Sequence, residues 1–152
     1  MKLPRMTIVV DSRLDCVVLA VTLLRNFCEW VGAPSLDSRQ IEVCVAEAMN
    51  NSVIHAYKLE AGRQLELCVS RNGCNIYCEI FDQGIAMDPL QLSRKRTQLP
   101  DLDSIALEDV PENGRGLSII LSVMDFVEYR SVNGTNCLSM RKQLRKPFEA
   151  HK

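Results

Sequence analysis

Two Asn-Gly dipeptides restrict the fold of this chain more than any other feature. Asn72-Gly73 lies between residues 64–70, Gln-Leu-Glu-Leu-Cys-Val-Ser, and residues 75–81, Asn-Ile-Tyr-Cys-Glu-Ile-Phe. Asn133-Gly134 lies between two further runs, at about 126–131 and 135–141. Asn-Gly suits the tight turns of β-hairpins, which need positive φ. Alternation of apolar and polar residues on either side is the signature of half-buried strands. The chain is therefore expected to carry two antiparallel hairpins.

The segments around them are helical or extended. Residues 6–10, Met-Thr-Ile-Val-Val, are β-rich and end at Asp11-Ser12, a helix N-cap signal. Leu14, Val17, Val18, Val21, Leu24 and Cys28 then recur at helical spacing until Val31-Gly32-Ala33-Pro34 stops the helix. Asp37 or Ser38 can cap a second helix, packed through Ile41, Cys44, Val45, Ala48 and Ser52 and running to about Tyr57. Residues 83–113 are polar and irregular, with three prolines. A connection this long is often a lid over an active site. A short helix opens at Gly116 and carries Leu117, Ile119, Ile120, Val123 and Met124. The order is β-α-α-β-β-lid-α-β-β. It predicts an α+β fold: a two-layer sandwich with helices on one face of a mixed, mostly antiparallel sheet. At 152 residues the whole chain fits one domain that buries about 68–70% of its unfolded surface.

Charge and cysteine usage remove several function classes. The formal net charge of -1 gives no electrostatic case for nucleic acid. The basic runs Arg94-Lys95-Arg96, Arg141-Lys142 and Arg145-Lys146 read as a solvated loop and tail. The seven cysteines are odd in number, form no C-x-x-C pair and mostly sit in apolar runs. There a free thiol acts as a small hydrophobe. Cys74 and Cys78 could hold a metal, but no second ligand pair lies near them. The N-terminus lacks the apolar core of a signal peptide, and no run reaches the ~18 apolar residues of a membrane span. A cytoplasmic, reducing setting is expected.

Three patterns carry chemistry. Glu47, Asn51 and His55 fall at i, i+4 and i+8, a polar stripe on one helical face. An amide oxygen there can take Mg²⁺, and a carboxylate can accept a proton from an attacking hydroxyl. The same spacing also fits a plain solvated face. Phe81-Asp82-Gln83-Gly84 puts an acid at a strand end, where it could accept a hydrogen bond from a base amino group. Alone it is also an ordinary turn. Asn113-Gly114-Arg115-Gly116-Leu117 opens a helix with glycines and a donor fork suited to phosphate, or is simply a glycine-rich helix entry.

In this order and spacing the patterns resemble the ATPase/kinase superfamily of gyrase, Hsp90, histidine kinases and MutL. Within it the chain is most similar to bacterial anti-sigma-factor serine/threonine kinases. The resemblance rests on residues 45–57, Phe81-Asp82-Gln83-Gly84 and residues 114–120, and spans about 6–142. It implies a Bergerat-type ATP-binding fold. It also implies that Asn51 binds Mg²⁺, that Glu47 activates the attacking hydroxyl and that Asp82 recognises the adenine amino group. By the same likeness Gly84 lets adenine pack on the backbone, and Gly114, Arg115 and Gly116 form the phosphate turn. Thr135 would sit near adenine, and His55 matches a helix-end histidine with no assigned role. The pattern departs at Ala86, where a second glycine is usual, and in the lid, where Arg94, Lys95 or Arg96 would have to supply a phosphate contact.

The resemblance thus implies a kinase that uses Mg·ATP, phosphorylates a STAS-type anti-anti-sigma partner and sequesters a sigma factor, as a homodimer. A catalytically inactive nucleotide-binding switch and a stand-alone ATPase are the alternatives. No nucleic acid or membrane partner is expected.

Overall fold

The computed structural model describes residues 2–97 and 115–146. The elements run β1 (Arg5–Asp11), α1 (Leu14–Trp30), α2 (Ser35–Asn51), a π-helical turn (Ser52–Ala56), β2 (Gln64–Asn72), β3 (Asn75–Asp82), α3 (Pro89–Thr97), α4 (Arg115–Val123), β4 (Phe126–Val132) and β5 (Thr135–Gln143). The strands form one sheet in the order β1-β2-β3-β5-β4. Every pairing is antiparallel, so the mixed sheet expected from the sequence is an antiparallel one.

Register follows from the hairpins. Val132 pairs with Thr135, which leaves Asn133 and Gly134 as the turn, with φ of 52° and 79°. Two positive φ values are what Asn-Gly accommodates in a type I′ turn. In the other hairpin Asn72 pairs with Asn75, so the turn residues are Gly73 and Cys74, one place later than Asn72-Gly73. There Gly73 takes positive φ and Asn72 remains in the strand.

Alternation then sorts the side chains. Leu65, Leu67, Val69, Ile76, Cys78, Ile80, Leu138 and Met140 face inward and are buried. They form one core with Val17, Leu24 and Phe27 of α1, Ile41, Cys44, Val45 and Met49 of α2, and Leu117 and Ile120 of α4. The opposite sheet face carries Glu66, Glu79, Ser139 and Arg130, none of them buried.

Four expectations shift. In α1 the buried stripe is Val17, Ala20, Leu24, Phe27 and Cys28, while Leu14 and Val18 lie outside at 45% and 67% exposure. The helix is apolar nearly all round, so spacing alone did not fix its phase. Its expected cap, Asp11-Ser12, is used elsewhere. Ser12 Oγ donates to the Glu60 carbonyl, Asp11 Oδ1 accepts from Gly62 N–H, and Arg13 stands at the N-cap. Neither Asp37 nor Ser38 caps α2. It starts at Ser35 after Pro34, and Asp37 is buried in its first turn, accepting from Arg145 N–H at 2.7 Å. Finally, part of the segment read as irregular, 89–97, is the helix α3, and residues 98–113 of the expected lid lie outside the described residues.

Candidate active site

The site begins with the packing of α4 on α2. Glu47 and Asn51 lie one turn apart on α2, each half-buried. Gly116, buried in the first turn of α4, meets both of them. A β-carbon at 116 would stand 2.8 Å from Glu47 Oε2 and 3.3 Å from Asn51 Nδ2. With Glu47 where it stands, the α4 backbone comes this close because residue 116 has no side chain. Arg115 precedes it at the helix start, while Gly114 lies outside the described residues.

Asp82 ends β3 at 7% exposure. Burying a carboxylate is costly unless donors surround it. Here Oδ2 accepts from Ser52 Oγ at 2.8 Å, and Oδ1 accepts from Asn136 Nδ2 at 2.7 Å and from Gly84 N–H at 3.0 Å. Ser52 belongs to the turn that follows Asn51, so the helix carrying the polar stripe also grips the strand-end acid.

That turn changes the geometry of the stripe. Tyr57 N–H reaches back to the Ser52 carbonyl, and Leu59 N–H to that of Val53, so the helix widens after Asn51. Lys58 and Leu59 then take left-handed φ of 51° and 64°. Widening carries His55 to an exposed position and frees the Ala56 carbonyl, which accepts from Ile85 N–H at 2.9 Å. Gly84 lies against that carbonyl so closely that a β-carbon at 84 would overlap it and come within 2.8 Å of Ala56 Cβ. Tyr57 adds a second tie: its hydroxyl donates to the Gln64 carbonyl at 2.6 Å and accepts from Gln83 N–H at 2.7 Å. Burial pushes the Tyr57 phenol above its ordinary range, which keeps it a donor.

Between these elements lies a cavity of about 60 Å³, lined by Asn51, Ser52, Asp82, Met87, Leu117 and Tyr129 among others. It is an apolar slot with a carboxylate at its end. Its volume suits a few waters, well below the several hundred Å³ of a typical ligand pocket. The wall formed by Met87, whose N–H donates to the Tyr129 hydroxyl at 2.9 Å, is the one next to the lid. Larger hollows, of about 270 and 450 Å³, lie on the open sheet face and beside β4, away from Glu47 and Asn51.

Thr135 faces the first of these hollows with Gln64, Glu66 and Phe81, and Asp82 and Gln83 reach the same hollow. Pairing of Asp82 with Asn136 explains this, because neighbours along a strand point to opposite faces. Asn136 therefore stands beside Asp82, a residue missed from the sequence. The signal was present: once Asn133-Gly134 fixes the turn, Asn136 shares the inward face with Leu138 and Met140 and is a polar residue next to apolar ones. Lys95 is half-buried on α3, beside Arg94 and Arg96. Arg94 pairs with Asp88 at 3.5 Å, and Arg96 donates to the Val127 carbonyl. Among the described residues no group of three or more His, Cys, Asp or Glu could hold a metal, and no helix is long and apolar enough to cross a membrane. Cys74 is exposed and Cys78 buried, and both are free thiols.

Residues 10–142 match the family described as a histidine kinase-like ATPase domain. The chain belongs to that family. Among curated relatives, this histidine kinase-like ATPase domain is 28% identical over 113 residues to the serine-protein kinase RsbW of Bacillus thuringiensis, covering 74% of the chain and 69% of the relative. It is 29% identical over 101 residues to the anti-sigma F factor of Clostridium acetobutylicum, covering 62% and 61%. Its fold is that of a structure of the RsbU and RsbW domains of Rv1364c from Mycobacterium tuberculosis, with a TM-score of 0.67 and 16% identity. That match covers 95% of this chain and 33% of the longer one. The SiaB-SiaC complex from Pseudomonas aeruginosa gives a TM-score of 0.59 at 15% identity, covering 89% and 88%. The sandwich is thus of the Bergerat type that the sequence patterns resemble.

Proposed function

We propose that the chain binds Mg·ATP between α2 and α4 and transfers the γ-phosphoryl group to a serine or threonine of a STAS-type anti-anti-sigma partner. In its other complex it holds a sigma factor. One observation carries this reading: the close seat of Gly116 on Glu47 and Asn51. It brings the turn suited to phosphate onto a carboxylate and an amide that phosphoryl transfer can use.

The roles follow from chemistry. Asp82 accepts from the base amino group, and the Gly84 backbone, whose N–H donates to Asp82 Oδ1, stands beside the base. Gly114, Arg115 and Gly116 offer backbone donors and a guanidinium to the phosphates. Asn51 would hold Mg²⁺, which neutralises phosphate charge when bound. The half-buried amide next to a bare Gly116 backbone fits such an ion. Glu47 accepts the proton of the attacking hydroxyl as the new O–P bond forms and the bond to the β-phosphate bridging oxygen breaks, leaving ADP. His55, exposed on the wide turn, and Lys95, half-buried on α3, are the further groups offered to a partner or to the phosphates. Likeness to a serine-protein kinase and an anti-sigma F factor supports the same reading. A cytoplasmic setting and a homodimer, paired along the outer edge of β1, belong to it as well.

Ala86 in place of the usual second glycine, together with the departures in the lid, supports a second reading, a nucleotide-binding switch without phosphoryl transfer. Partner phosphorylation separates the two. With a STAS partner and γ-labelled ATP, the wild-type chain is expected to label the partner, forming ADP in proportion. Glu47→Ala is expected to lower the rate about 10²–10⁴-fold while still binding nucleotide. Equal labelling by both proteins would remove Glu47 from its role, and nucleotide binding without labelling would support the switch.

A further inference from the structure

Asn136 is 1% exposed, on the inward side of β5 next to buried Leu138 and Met140. A carboxamide so placed must satisfy its donors and acceptor without water. Nδ2 donates to Asp82 Oδ1 at 2.7 Å and to the Gly84 carbonyl at 3.0 Å, and Oδ1 accepts from Ser131 Oγ at 2.7 Å. Asp82 and the Gly84 carbonyl are acceptors, so the amide can point only one way. One N–H holds the carboxylate and the other holds the backbone of the residue leading into the lid. A side chain with a single hydroxyl proton, such as threonine, could serve only one of the two.

We infer that Asn136 is a positioning residue for nucleobase choice, locking the Asp82 carboxylate and the Gly84 backbone into one rigid acceptor edge. The inference rests on the nucleotide reading above. Ser52 grips the carboxylate from the other side, so donors on α2, β5 and the Gly84 backbone fix its plane. A base that presents an amino group to this edge is matched. A base that presents a carbonyl oxygen meets acceptor against acceptor and leaves both unpaired. Without the Asn136 brace the carboxylate can turn aside, so preference between the two bases falls further than binding as a whole.

The test compares Mg·ATP with Mg·ITP, which carries oxygen where ATP carries the amino group. Dissociation constants are measured on the full chain for wild type, Asn136→Leu, Asn136→Thr and Ser131→Ala, with folding checked by circular dichroism. Wild type is expected to prefer ATP. Asn136→Leu is expected to weaken ATP binding about ten- to a hundredfold, the range for losing a hydrogen bond to a charged group, and to leave ITP binding nearly unchanged. Asn136→Thr, which keeps one donor, is expected to fall between them. Ser131 is exposed at the end of a hairpin, so Ser131→Ala tests the same brace without threatening the core, and its preference should fall by a smaller factor. Folded variants that all keep the wild-type ATP-to-ITP ratio would overturn the inference. So would a wild type that binds both nucleotides equally, though the nucleotide site itself would stand. A wild type that binds neither would overturn the nucleotide reading together with the inference.

Discussion

At the scale of single residues, two glycines do opposite things. Gly84 lies against the Ala56 carbonyl, which the wide turn and the Ile85 hydrogen bond hold in place. A methyl group there has nowhere to go. Gly84→Ala is expected to cost about 1–3 kcal/mol, the usual range for overpacking, read by urea unfolding. Gly116 meets the free end of Glu47 rather than backbone. Gly116→Ala should therefore leave stability within about 1 kcal/mol, since the end of the half-buried Glu47 side chain can swing aside. It would displace Glu47, so phosphoryl transfer should fall even though the fold survives. Retained transfer with the alanine would show that Glu47 is not needed where the structure puts it. The thiols give a prediction of another kind. Burial pushes Cys28 up to about 11, Cys44 up to about 12 and Cys78 up as well, all from an ordinary value of 9.0. Raised folded-state values mean that stability is fully present below pH 9.0 and declines as pH rises toward 11–12. Near neutral pH, iodoacetamide should label exposed Cys74 quickly and these three slowly, as mass spectrometry would show.

At the scale of elements, the helix that carries Glu47 and Asn51 is anchored at both ends. Its first turn holds Asp37, fully buried, against the backbone N–H of Arg145, with Arg145 Nε at 3.4 Å from the other oxygen. Asp37→Ala should cost about 1–3 kcal/mol by leaving that donor unmatched, measured by thermal or urea unfolding. Its far end opens into the π-turn that hands Ser52 to Asp82 and the Ala56 carbonyl to Ile85. Much of this element was legible. Ile41, Cys44, Val45 and Ala48 at helical spacing gave its buried face, and Glu47 with Asn51 gave its polar one. The π-turn was not legible, because its cause is tertiary: the pull of Asp82 and Ile85 on residues whose local pattern is simply helical. His55, on that turn, is exposed, whereas Glu47 and Asn51 are half-buried. The strands were read by alternation, and the hairpins by Asn-Gly. The one-residue difference at Gly73-Cys74 arises because either Asn72-Gly73 or Gly73-Cys74 can turn, and cross-strand packing decides. Thr135 shows the same limit. The Gly-Thr motif resembled a binding motif, but register, not motif, decides which neighbour faces inward.

At the scale of the whole molecule, the described residues form one antiparallel sheet whose inward face shares a single core with α1, α2, α3 and α4. The site lies where α2, α4 and the ends of β3 and β5 converge, so nucleotide and core share the same walls: Leu117 and Leu138 belong to both. Binding should therefore raise the melting temperature, by mass action on a site that exists only in the folded chain. The most direct measurement is calorimetric titration of Mg·ATP into the purified chain, alongside Asp82→Asn and Asn51→Ala. Saturable binding at one site per chain is expected, weakened by both substitutions. No binding by the wild type, or binding that neither substitution changes, would contradict a nucleotide site between α2 and α4.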